Sequence, residues 1–113
     1  MSYLARVARD AIAPVVDRPD PAKVLSGDPV HTTWNIEEDA GLFCGLWQST
    51  PGKWRVEFTE WEYVHIHAGV NVLTDEAGHA VTLRAGDSHI IRVGFRGTWE
   101  VLETTLKDYV IRG

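Results

Sequence analysis

The chain has 113 residues, a formal net charge of −5 and no clustered lysine/arginine stripe, which argues against a nucleic-acid track. One domain is the expectation at this length, and no run of about 18 apolar residues offers a membrane span. The single cysteine, Cys44, cannot form an internal disulfide and fits a reducing cytoplasm, and charge interrupts the first ten residues too early for a signal peptide.

Leu4, Val7, Ala8, Ala11 and Ile12 recur at helical spacing, so a short amphipathic helix up to Pro14 is one reading, and an extended arm is the other. Residues 14–30 hold Pro14, Pro19, Pro21 and Pro29 together with Asp17, Asp20 and Asp28, and read as an irregular segment wrapping the domain. Residues 1–30 are thus expected to form an N-terminal arm packed on a domain of residues 31–113.

From Thr32 the pattern changes to strands. Thr32-Thr33-Trp34-Asn35-Ile36 and Gly41 to Gln48 carry β-branched and aromatic residues between turn clusters. Thr50-Pro51-Gly52-Lys53 has the proline-glycine centre of a type II turn. Trp54, Val56 and Phe58 then alternate on one face. Tyr63 to Leu73 reads as a longer strand broken at Gly69, joined through Asp75-Glu76-Ala77-Gly78 to a strand from His79 to Leu83. Ala85-Gly86-Asp87 is a further turn, and strands follow at His89 to Val93, Thr98 to Leu102 and Asp108 to Ile111. Roughly nine strands with little helix predict an all-β fold, a β-sandwich or jelly-roll barrel.

The run from Gly41 to Ile111 resembles the small cupins related to (S)-ureidoglycine aminohydrolase. Thr50-Pro51-Gly52-Lys53-Trp54, Glu62-Tyr63-Val64-His65-Ile66, Leu73 to Gly78, Gly86-Asp87 and Gly94-Phe95-Arg96-Gly97-Thr98-Trp99 carry the likeness. The resemblance implies a cupin jelly roll, an antiparallel β-barrel that commonly pairs into a homodimer, with Trp34, Trp47 or Trp61 as interface candidates. It also implies a metal site of three histidines and a glutamate, because residues two apart on a strand share a face and converge inside a barrel. At those four positions this chain reads Val56, Phe58, Glu62 and Gly97. One oxygen ligand does not hold a divalent ion against water, so no metal cofactor is expected.

His65 and His67 look like a displaced metal pair, to which His79 or His89 could add a third ligand. Their parity is opposite to that of Glu62, however, which turns them away from the barrel interior, and the favoured reading is of partly buried histidines between the sheet and a dimer partner. Glu62 itself has two readings: a structural carboxylate bonded to the barrel wall or to a neighbouring arginine, or a catalytic group in an apolar cavity beside Trp54, Val56 and Phe58. Trp99 shares parity with Gly97 and closes the same cavity. Arg92 and Arg96 are placed to anchor a carboxylate or ureido oxygen, or to make surface salt bridges. The leading expectation is a cytoplasmic protein that binds a small polar metabolite in the barrel without a metal, through Glu62, Trp54, Phe58, Arg92 and Trp99. The alternatives are an aminohydrolase-like enzyme acting on a ureido compound with Glu62 as its catalytic base, and a structural or regulatory module.

Overall fold

The computed structural model describes residues 2–113 and is all-β, with no helix among them. Its strands are β1 (Val15–Asp17), β2 (Val24–Gly27), β3 (His31–Asp39), β4 (Leu42–Ser49), β5 (Gly52–Glu57), β6 (Trp61–Asp75), β7 (Ala80–Arg84), β8 (Ser88–Ile91) and β9 (Arg96–Arg112). Every pairing is antiparallel. The helical spacing near the N-terminus produces no helix: residues 2–14 run as turns and extended chain, with Tyr3 and Leu4 almost fully exposed. Pro14 ends the apolar pattern too soon for an isolated helix to be stable. The segment after it is more ordered than its prolines suggest, since β1 joins β3 and β2 joins β5 at the two edges of the sheet.

The long strands β6 and β9 form the spine. Trp61 to Ala68 pair with Leu106 to Arg112, and Val70 to Asp75 pair with Gly97 to Glu103. The last part of β9 also carries β4, then β3 and β1, while its first part carries β5 and then β2. On its other side β6 pairs first with β8 and then with β7. One sheet therefore folds over itself as a curled half-barrel of jelly-roll type. The fold happens where the β6–β9 register slips between Ile66 and Asn71, as bulges bend a strand. Gly69 sits at this corner with φ +101, and a Cβ there would overlap the backbone and side chain of Thr105, so a side chain is excluded twice over.

Two local expectations are corrected. Thr98 to Leu102 and Asp108 to Ile111 are parts of the single strand β9, because alternation of buried Trp99, Val101, Thr105, Lys107 and Tyr109 continues across the gap. Pro51-Gly52 is not the centre of a type II turn. Gly52 lacks the positive φ that such a turn needs, opens β5, and makes room for the ring of buried Pro29.

Val64, Ile66, Leu73, Leu83, Ile91 and Val101 pack with Trp54 and Trp99 as the dry core, each side chain contributing roughly 1.5–3 kcal/mol by leaving water. The polar atoms inside it are satisfied: Trp99 Nε1 donates to Asn71 Oδ1 at 3.0 Å, and Asn71 Nδ2 to the Leu83 carbonyl at 3.4 Å.

Candidate functional site

Beside this core the curled sheet forms an open cavity of about 500 Å³. Its walls are aromatic, from Trp47 on β4, Trp54 on β5, Phe58 just after it, and Trp99 and Tyr109 on β9. Two buried charged side chains reach into it, and exposed Asp17 of β1 stands on its wall. Glu62 enters from β6 and Lys107 from β9, and Lys107 Nζ donates to Glu62 Oε2 at 2.9 Å. The lysine and glutamate side chains are 6% and 9% exposed. The ammonium also lies over two indole rings, 4.5 Å from the centroid of Trp47 and 4.3 Å from that of Trp99, a placement favoured by the negative face of the ring. Glu62 is thus bonded to the barrel wall and not to an arginine: its partner is a lysine on β9, 45 positions away.

His31, at the start of β3, completes the wall. Its ring is wedged between Trp47 and Trp54, at centroid distances of 4.9 and 4.7 Å, and its buried Nε2 has no hydrogen-bond partner. Burial lowers its pKa, the Asp17 carboxylate opposes the shift, and the Lys107 charge adds to it. Across the cavity, the Tyr109 hydroxyl donates to Asn35 Oδ1 at 2.6 Å. Burial first, then the Cys44 and Glu62 charges, push its pKa up to about 12.

Trp54, Phe58, Glu62 and Trp99 are brought together as the sequence suggests. Arg92 is not. It is exposed and lines a separate hollow of about 350 Å³ with Leu73, His89 and Phe95. Arg96 makes a surface contact with Glu76 at 3.4 Å. Lys107, His31, Asn35 and Tyr109 escape the sequence reading. Three of them are open to parity: Lys107 and Tyr109 follow Trp99 and Val101 at even spacing along β9, and His31 sits two before Thr33, one residue ahead of the expected start of the strand.

The four positions where related barrels hold a metal do not fit one here. Val56 and Phe58 offer no donor atom to the cavity, and Glu62 is already engaged by Lys107. Gly97 is closed sterically: it lies between Val56 of β5 and Asp75 of β6, and a Cβ would fall deep inside contact with the Thr74 carbonyl oxygen. No side chain, histidine included, fits on this backbone. Among the described residues, no group of three or more His, Cys, Asp or Glu is placed to hold a metal ion.

His65 and His67 point outward, as their parity requires. His65 Nδ1 is 2.7 Å from Ser88 Oγ, and His67 Nε2 is 2.9 Å from Asp108 Oδ2. His79 is taken by Asp75 on its own hairpin, and His89 faces the hollow of Arg92. Of the candidate interface tryptophans, Trp34 is already 8% exposed in the single chain and Trp47 faces the cavity. Trp61 is half-buried beneath the Arg112 guanidinium, 5.6 Å from its ring centroid.

This architecture has relatives. The family model of the EutQ-like cupin domain matches residues 36–109. A protein of unknown function from Pseudomonas syringae pv. tomato superposes with a TM-score of 0.80 at 27% identity, over 88% of this chain and 43% of that one. This chain therefore spans less than half the length of that relative. The EutQ protein of Clostridium difficile gives a TM-score of 0.68 at 17% identity, covering 74% of this chain and 63% of its own. A putative ethanolamine utilization protein from Salmonella typhimurium gives 0.64 at 18%, covering 76% and 70%. Comparison with curated proteins found no match. The family model spans well over half of the sequence, and the chain belongs to the EutQ-like cupin family.

Proposed function

We propose that the protein binds a small polar metabolite in the aromatic cavity around Glu62, without the metal that many cupins use. The observation that carries this reading is the Glu62–Lys107 pair, buried at 2.9 Å in a cavity of about 500 Å³. A cavity of this size suits a small ligand, with apolar walls supplying contact area and a few polar groups fixing orientation. Trp54, Phe58 and Trp99 form the walls; Glu62, Lys107, Asn35 and Tyr109 are the polar groups within reach. The cytoplasm and a homodimer belong to the same proposal, and gel filtration tests the dimer.

Three of the cavity walls are tryptophans, so a metabolite panel screened by intrinsic fluorescence and thermal shift reports binding directly. A hit from that panel loses affinity on Glu62→Gln and on Trp99→Ala; wild-type affinity in both variants would sink the reading. A ureido aminohydrolase reaction ranks second. It asks Glu62 to act alone as general base, and Lys107 already holds that carboxylate. Release of ammonia from a ureido compound that survives chelator and disappears in Glu62→Gln would promote it to first.

A further inference from the structure

We propose that the Lys107 ammonium is the barrel's own cation: it holds the Glu62 carboxylate where a divalent ion would otherwise bind, and it keeps such ions out. The inference rests on the metal-free reading of the cavity above, and extends it to the residue responsible.

Three observations on different elements converge on it. First, Lys107 on β9 and Glu62 on β6 meet at 2.9 Å with almost no solvent at either side chain. A buried carboxylate demands a positive partner, and here the partner is covalently fixed. Second, the ammonium is caged. Trp47 and Trp99 cover it at 4.5 and 4.3 Å, so it has little freedom to swing aside for an incoming ion. Third, the Glu62 and Lys107 charges cancel and burial pushes the nearby His31 toward its neutral form, so the one carboxylate left on the cavity wall is Asp17, on the exposed strand β1. A divalent ion entering this space would meet a like charge at contact distance in a poorly screened site. The apolar Val56 and Phe58 on the same cavity wall add nothing to attract it.

The loss of histidines and the presence of Lys107 are therefore separable, and that separation is the test. Val56→His/Phe58→His would place two imidazoles beside Glu62. The same pair is also made in a Lys107→Ala background, and both proteins are titrated with Ni²⁺ and Zn²⁺ by calorimetry, with folding checked by circular dichroism. Repulsion from a fixed ammonium at contact predicts that the variant retaining Lys107 binds on the order of a hundred-fold or more weakly than its Lys107→Ala counterpart. Equal affinity in the two backgrounds would overturn the proposal. If these variants fail to fold, the wild-type protein supplies the test by nitrogen-15 NMR of lysine ammonium groups. One slowly exchanging ammonium signal, assigned to Lys107 and unmoved by millimolar zinc, is expected. A signal that exchanges freely or shifts with zinc would overturn the proposal. A wild-type protein that binds no metabolite at all would defeat the preceding functional reading without touching either of these outcomes.

Discussion

The two faces of β6 carry similar chemistry to opposite ends. Outward, His65 and His67 stand two residues apart with rings 5.1 Å from each other, the spacing of a metal-binding pair. Each has taken an ordinary surface partner, Ser88 or Asp108. Inward, Glu62 stands alone in sequence, yet it meets Lys107 with both side chains almost fully buried. A short local motif thus ends as surface decoration, while the chemically demanding contact joins residues 45 apart. Burial decides the difference, since an exposed ion pair is worth little and a buried one is costly to break.

Removing one inward partner is the strongest way to break this contrast. Lys107→Ala leaves Glu62 buried and unpaired, and is expected to cost about 3–5 kcal/mol in urea unfolding. Replacing both partners together, by Glu62→Leu with Lys107→Met, is expected to recover most of that loss. A double variant as unstable as the single one would show that packing, not the charge pair, accounts for the effect. Gly97→Ala comes next, because its methyl group meets the Thr74 carbonyl. A loss of roughly 1–3 kcal/mol is expected from overpacking, and an unchanged urea midpoint would reopen this position to a side chain.

A pH series sharpens the contrast further. The folded-state pKa of His31 is depressed below the ordinary 6.5, mainly by burial. The unfolded chain therefore binds the proton more readily. Its contribution is present above pH 6.5 and is lost as pH falls toward the folded value. Melting temperatures measured downward from pH 7 are expected to fall more steeply for wild type than for His31→Phe; parallel curves would remove His31 from the account. The smallest effect belongs to the outward face. His67→Ala removes a half-exposed contact to Asp108 and is expected to change stability by less than about 1 kcal/mol. A larger loss would mean that this face is buried in solution, as a dimer would require.

Much of the fold is legible because alternation survives in a single sequence. Trp54, Val56 and Phe58, and Glu62 with Val64 and Ile66, declare their shared faces, and the parity of His65 and His67 turns them outward correctly. The site is only half legible, for two physical reasons. Lys107 is a charged residue inside a strand, so β9 reads as two pieces and its inward face is lost between them. Its pairing with Glu62 also depends on which strands lie side by side, and alternation carries no information about that. Arg92 shows the reverse error: it stands near the family's motif in sequence, but the turn from Arg92 to Phe95 leaves it exposed at another hollow. Of the two readings of the N-terminus the extended chain holds and the helix does not, because spacing alone is weak evidence in a segment with little to pack against.

Lys107 holds Glu62 in the aromatic cavity, where we propose that a ligand binds without a metal. The most direct test is metal analysis by mass spectrometry on tag-free protein, purified without chelator and offered manganese, iron, zinc and nickel. Folded protein with metal far below one equivalent is expected. Near-stoichiometric metal, lost on Glu62→Gln, would contradict it.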